Sequence, residues 1–223
     1  MTLSANDLFL LSQCAISAAY QAGHIISSYN AADLDVETKA AGSSLASQVL
    51  TEVDLLSQEI ILQTLSPTCK MFDLAMLAEE STDDKSRLRK DYFWCIDPLD
   101  GTLPFIESTA GYAVSIALVS RCGNPVIGVI YDPLERVLYH AVQDQGAFMN
   151  GQPWQASVKE PADSHLTFIC DRSFTKHPLY GKTLDELEAL AVKMGLQGIR
   201  TIQHGGAAMN ACWTLENSPA CYF

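Results

Sequence analysis

The sequence predicts a mixed chain, with an α+β part over residues 1–154 and an α/β part over residues 155–223. Three observations carry this expectation. Two stretches near the start repeat their apolar residues at helical spacing. From Met71 to Ala141, short β-branched-rich segments follow one another between Gly, Pro and Asp punctuation. Beyond about Gln155, strand and helix patterns alternate. With 223 residues, the two parts read as one domain sharing a core.

Ser4 followed by Asp7 has the form of a capping box. Leu8, Leu11, Ala15, Ile16, Ala19, Ile25 and Ile26 then place an amphipathic helix that runs to about Tyr29. Residues 31–48 hold Gly42 and three serines and read as a mobile loop. A second helix is expected from Glu52 to Leu65, ended by Pro67. Met71–Leu77 reads as a buried strand running into Glu79-Glu80, and Tyr92–Ile96 as another. Ala113–Val119, Val126–Tyr131 and Val137–Ala141 are strands whose short connections favour an antiparallel, meandering sheet. Gly146 and Asn150-Gly151 mark turns. In the second part, Leu166–Cys170 and Ile199–Ile202 read as strands. Leu184–Met194 reads as a helix closed by Gly195, and Gly205-Gly206 opens another from Ala207 to about Leu215. Ala220–Phe223 reads as the start of a further strand, so the C-terminal part is expected to be incomplete.

Composition narrows the function. Hydrophobic residues make up 48% of the chain and charged residues 18%, as in an ordinary soluble globular protein. Fourteen basic against 26 acidic residues give a formal charge of −12, which argues against nucleic acid as the main partner. Most of that acid is solvated surface, but a clustered share suits divalent metal. The seven cysteines are scattered and never form a CxxC pair, so a zinc site or disulfide framework is not expected. With no secretory signal and no apolar stretch long enough for a membrane, a cytoplasmic location is expected.

The segment Asp91–Phe105, DYFWCIDPLDGTLPF, concentrates the chemistry. An apolar run delivers Asp97 and Asp100, three residues apart around Pro98, to the end of a strand. Gly101-Thr102 then opens a short helix with Pro104 in its first turn, where proline is tolerated. Glu79-Glu80 follows the preceding strand, and Thr51-x-x-Asp54 stands at the head of the second helix. Carboxylates at a strand end suit magnesium, and amides at a helix start suit a phosphate. Together they point to hydrolysis of a phosphate ester, in which divalent metal lowers the pKa of a water and neutralises charge. The competing structural readings are ordinary. Asp-Pro and Asp-Gly favour turns, Asp54 suits a first helical turn, and Gly205-Gly206 equally serves close packing. Glu80 reads as a supporting neighbour and the five histidines as structural or exposed; Asp171-Arg172 follows a strand and could approach the pocket, but reads first as a solvated loop.

WCIDPLDGTLPF resembles the signature of the inositol monophosphatase family, whose members are Mg-dependent, lithium-sensitive phosphatases. LTEVD (Leu50–Asp54), LAEES (Leu77–Ser81), GYAVSIALV (Gly111–Val119), Gly128–Pro153 and Gly205–Phe223 resemble further family segments, in the family's order. The resemblance implies the layered αβαβα sugar-phosphatase fold. It implies that Glu79, Asp97 and the Leu99 carbonyl hold one magnesium, and that Asp97 and Asp100 hold a second. Glu79 would also touch a third, giving two or three Mg²⁺ ions. Thr102, paired with Asp54, would orient and help deprotonate the attacking water, with Glu79 part of the catalytic set. Asp100, Gly101 and Thr102 would meet the phosphate, and Gly205, Gly206 and Ala207 the alcohol part. Lys39 loosely matches a family lysine near the metals.

The implied substrate is a small phosphorylated molecule, first an inositol monophosphate or similar polyol phosphate. The alternatives are a 3'(2'),5'-bisphosphate nucleotidase acting on phosphoadenosine phosphate, or a non-catalytic member used as an interaction module. A homodimer, no membrane and no nucleic acid are the implied partners. The chain departs from the family pattern at Leu103-Pro104-Phe105, at Gly206 where Ser or Thr is usual, and in lacking a downstream Trp-Asp motif.

Overall fold

A computed structural model describes residues 2–29, 52–156 and 164–223, and the backbone of Val36–Thr38 and Val49–Thr51. Helix α1 spans Ala5–Ser28, and its capping box is formed: Asp7 N–H donates to Ser4 Oγ at 3.2 Å and Ser4 N–H to Asp7 Oδ2 at 2.8 Å. Strands β1 (Val36–Thr38) and β2 (Val49–Thr51) pair antiparallel within and beside the segment expected to be a loop. The remainder of that loop, with Lys39, lies outside the described residues.

Helix α2 runs from Glu52 to Phe72, so the expected stop at Pro67 is overruled. A proline removes one amide donor from the helix ladder, a defect that tertiary contacts offset here. Leu65 and Thr68 beside it are buried, and the Trp94 indole N–H donates to Thr68 Oγ1 at 2.9 Å. The next strand is correspondingly shorter than expected: β3 covers Ala75–Ala78, and Met71 and Phe72 belong to the helix.

Strand β4 (Tyr92–Asp100) pairs parallel with β3 and antiparallel with β5 (Ala113–Ser120). It extends through both aspartates rather than stopping before them. The short helix α3, Thr102–Ile106, follows it. Then β6 (Pro125–Asp132), β7 (Val137–Val142), β8 (Gly146–Met149) and β9 (Gln152–Pro153) complete a seven-stranded sheet in the order β3-β4-β5-β6-β7-β8-β9. The meander is as expected, although Gly146 opens a strand instead of marking only a turn. A second sheet, β11-β10-β12, is parallel and joins β10 (Leu166–Ile169), β11 (Ile199–Ile202) and β12 (Ala220–Tyr222). Helix α4 (Tyr180–Lys193) connects the first two, beginning earlier than the sequence indicates, and α5 (Ala207–Glu216) leads into β12.

The layers follow from which apolar faces meet. Ala15, Ala18, Ala22 and Ile26 of α1 and Ile61 and Leu65 of α2 are fully buried against Trp94, Ile96, Ile116, Leu118 and Ile127 of the large sheet. Small alanines let α1 lie close on the strands. On the opposite face, Met209 and Cys212 of α5 pack with Ala113 and Tyr139. Beyond α5 lies the small sheet, where Leu166 and Ile199 pack on Leu187 and Ala191 of α4. The order is thus α1/α2, large sheet, α5, small sheet, α4.

Candidate active site

Strand residues three apart normally face opposite sides, because side chains alternate. Asp97 and Asp100 escape that rule through a bulge. Asp97 pairs with Ser115 and Asp100 with Ala113, so one extra residue on β4 is absorbed between them. Both carboxylates therefore line one cleft of about 480 Å³, together with Glu79, Leu99, Gly101 and Thr102. Glu79 arrives from the neighbouring strand. Its amide donates to Ile96 O at 3.0 Å, extending the β3–β4 ladder one step. The buried Gln58 braces this turn: Glu80 N–H donates to Gln58 Oε1 at 2.9 Å and Gln58 Nε2 to Ser81 Oγ at 2.9 Å.

Glu79 stands close enough to Asp97 in this cleft for its charge to bear on the Asp97 carboxyl. Burial, then the charges of Asp100 and Glu79, push the Asp97 carboxyl up to about 9, against the pull of the Leu99 amide, which donates to Asp97 Oδ1 at 3.1 Å. Burial also raises Asp100, opposed by the amides of Ala208 and Ala207. Crowded carboxylates with raised pKa values call for a cation, and this donor set, with the Leu99 carbonyl, is all hard oxygen and fits Mg²⁺. Among the described residues, no three His, Cys, Asp or Glu side chains are arranged as a metal cage. Asp100 is instead engaged by α5.

Gly101 takes a φ of 86° at the head of α3, a left-handed turn that suits glycine. The Thr102 hydroxyl behind it lies 3.2 Å from Asp54 Oδ1 and 3.3 Å from Leu99 O. Asp54 is 2% exposed in the first turn of α2, where the helix dipole favours a carboxylate. Thr102 is thereby held between the acid under the sheet and the carbonyl at the cleft.

Gly205, Gly206 and Ala207 line the same cleft from the other side. Their approach is a backbone seam: Gly206 N–H donates to Gly111 O at 2.7 Å. A side-chain carbon on Gly206 would fall 2.5 Å from Asp100 Oδ2, although its φ of −66° suits any residue. Glycine is needed there for space, and the space is filled by the Asp100 carboxylate and by the Gly101 backbone, whose N and Cα lie 2.7 and 2.8 Å from that position. Ala207 and Ala208 N–H donate to Asp100 Oδ1 and Oδ2 at 3.1 and 2.7 Å. Ala207 was expected beside the alcohol part of the substrate, and its amide is occupied by this cap.

Sequence reasoning ranked one wall of the cleft second, placing Asp171-Arg172 within reach of the pocket but reading it first as a solvated loop. Asp171, Arg172, Ser173, Thr175 and Lys176 line it, from a 3-10 helix at Arg172–Lys176, and so does His204, which stands beside Trp213. Asp171-Arg172 is no detached solvated loop. The available signal was its place just after β10, since α/β sheets bind ligands at the carboxyl ends of their strands. Glu80, a supporting neighbour by sequence, does not line the cleft.

A family model described as the inositol monophosphatase family matches residues 7–223. The chain belongs to the inositol monophosphatase family. Within this family it is 33% identical over 153 residues to the Nus factor SuhB of Escherichia coli strain K12, covering 68% of this chain and 54% of SuhB. It is 36% identical over 121 residues to an inositol-1-monophosphatase of Synechocystis, covering 54% of this chain and 41% of that protein. The chain thus spans about half the length of the curated relatives it matches. Among solved structures, an IMPase of Thermotoga maritima superimposes with a TM-score of 0.67 at 27% identity, covering 89% of this chain and 69% of that one. The layered mixed fold is that of the inositol monophosphatase family.

Proposed function

We propose that this protein is a metal-dependent phosphomonoesterase acting on an inositol monophosphate or a similar polyol phosphate. The observation that carries the reading is the convergence of Glu79, Asp97 and Asp100 in one cleft that Gly101 and Thr102 also line. Glu79, Asp97, Asp100 and the Leu99 carbonyl would hold Mg²⁺, which supplies charge neutralisation and a more acidic water. Thr102, backed by Asp54, accepts and passes on the proton of the attacking water. Gly101 and Thr102 orient the phosphate, and the cleft walls fix the ester in line and limit bulk water. Release of inorganic phosphate from myo-inositol 1-phosphate by the whole protein, with Mg²⁺ and with EDTA, tests the reading. Turnover that needs Mg²⁺ supports it, and turnover that EDTA leaves untouched refutes it.

A second reading, a 3'(2'),5'-bisphosphate nucleotidase, is favoured by Lys176. It is exposed and lines the cleft, with no acidic partner among the described residues, as a second phosphate would require. A preference for phosphoadenosine phosphate over the inositol ester would decide for that reading. A protein that hydrolyses neither would fit the interaction-module reading instead.

A further inference from the structure

Arg172 and Glu107 meet across 65 residues. Arg172 Nη1 donates to Glu107 Oε1 at 2.7 Å and Nη2 to Oε2 at 2.8 Å, a parallel fork. Glu107 caps the C-terminal end of α3, whose first residue is Thr102. Arg172 begins the 3-10 helix on the far wall. The bridge therefore ties the wall that carries the phosphate cradle to the wall that faces the alcohol part.

Its exposure limits its contribution to stability. The two side chains are 37% and 40% exposed, and such pairs contribute about 0–1 kcal/mol to stability. What the bridge fixes is orientation. A guanidinium carries five N–H donors in a rigid plane, and this fork uses two. The other three make no hydrogen bond among the described residues, and Arg172 lines the cleft. Its charge is already compensated by Glu107, which disfavours a role as an anion trap. An oriented, charge-compensated donor suits neutral oxygens.

Resting on the phosphomonoesterase reading, we propose that Arg172, oriented by Glu107, reads the hydroxyl oxygens of the substrate's alcohol part. Arg172 is the specificity determinant and Glu107 a positioning residue that acts through it. Inorganic phosphate lacks an alcohol part, so it separates this role from phosphate binding.

In the whole protein, Arg172→Gln raises KM for myo-inositol 1-phosphate about tenfold and changes kcat less than about twofold, as loss of uniform binding does. Its inhibition constant for inorganic phosphate stays unchanged. Glu107→Gln raises KM by a smaller factor. The swapped pair, Glu107→Arg with Arg172→Glu, recovers the melting temperature of the wild type but not its KM, because the donor then sits on the wrong wall. An unmoved KM in Arg172→Gln overturns the proposal, as does an equal rise in KM and in the phosphate constant. A swapped pair that recovers KM overturns it too, leaving the bridge a structural tie.

If the wild type binds but does not hydrolyse the ester, calorimetry with Mg²⁺ replaces kinetics. Selective loss of inositol phosphate binding in Arg172→Gln then upholds the role of Arg172 while the catalytic reading fails. Equal loss of ester and phosphate binding, or no loss, overturns that role. A wild type that binds neither ester nor phosphate overturns both.

Discussion

The large sheet and the small sheet contribute unequally to the cleft. Glu79, Asp97 and Asp100 stand on or just beyond strands of the large sheet, and Asp54 lies on a helix packed against it. The small-sheet side brings backbone amides, Arg172, Lys176 and His204, and its one acid there, Asp171, is turned onto the Ser173 amide at 2.7 Å. The supporting cores differ in the same sense. One cluster runs from Leu3 to Val142 under the large sheet, whereas the cluster between α4 and the small sheet holds Leu166, Ala191 and Leu196 as its buried residues. Like charges held together need a rigid frame, and a wall proposed to meet the alcohol group does not need as deep a core.

Charge deletion at the rigid side breaks this contrast most severely. Asp97→Asn should lower Mg²⁺-dependent kcat/KM by about a thousandfold or more, because several kcal/mol of charge stabilisation is lost. The fold should survive, as near-ultraviolet circular dichroism would report. Thr102→Ala removes the hydroxyl beside Asp54 and should cost about a hundredfold in kcat, within the range for lost proton transfer, with a smaller change in KM.

At the seam between the two sides, Gly206→Ala should destabilise the protein by about 1–3 kcal/mol, the usual cost of overpacking, measured by urea unfolding. An unchanged midpoint would mean that both the Asp100 carboxylate and the Gly101 backbone give way without cost.

The carboxylate cluster also sets a pH response. Asp97 has a folded pKa of about 9 against an ordinary 3.8. The folded state holds a proton that the unfolded chain releases, so this contribution is complete below about pH 4 and lost as pH rises toward 9. In EDTA, the melting temperature should fall across that window, and Asp97→Asn should flatten the slope. A melting temperature that rises with pH there would contradict the crowding of Asp97. The mildest test lies far from the cleft. Ser4→Ala should cost about 1 kcal/mol through the lost cap of α1 and leave kcat/KM unchanged.

The helices, the meander and the alternating second part were legible because each rests on local pattern. The apolar spacing of Leu8, Leu11 and Ala15 and the pair Ser4–Asp7 act over a few residues. The acid cluster was legible because Asp97, Asp100, Gly101 and Thr102 stand together in one segment. Pro67 misled, since its local rule yields to the buried Thr68–Trp94 bond, a contact across 26 residues. Asp171-Arg172 was legible only as a second choice, because nothing near it in sequence reveals Glu107.

By itself, the sequence determined which residues have the chemistry to meet a cation and a phosphate, and roughly which segments are helix or strand. Those properties belong to side-chain type and to spacing along a few turns. Only the tertiary structure decided that a bulge turns Asp100 to the side of Asp97, that Gly206 yields its space to that carboxylate, and that Arg172 faces the cleft in the grip of Glu107. Each of these joins residues distant in the chain or depends on strand register. Both are set by how whole layers bury their apolar faces together, which no short window of residues records.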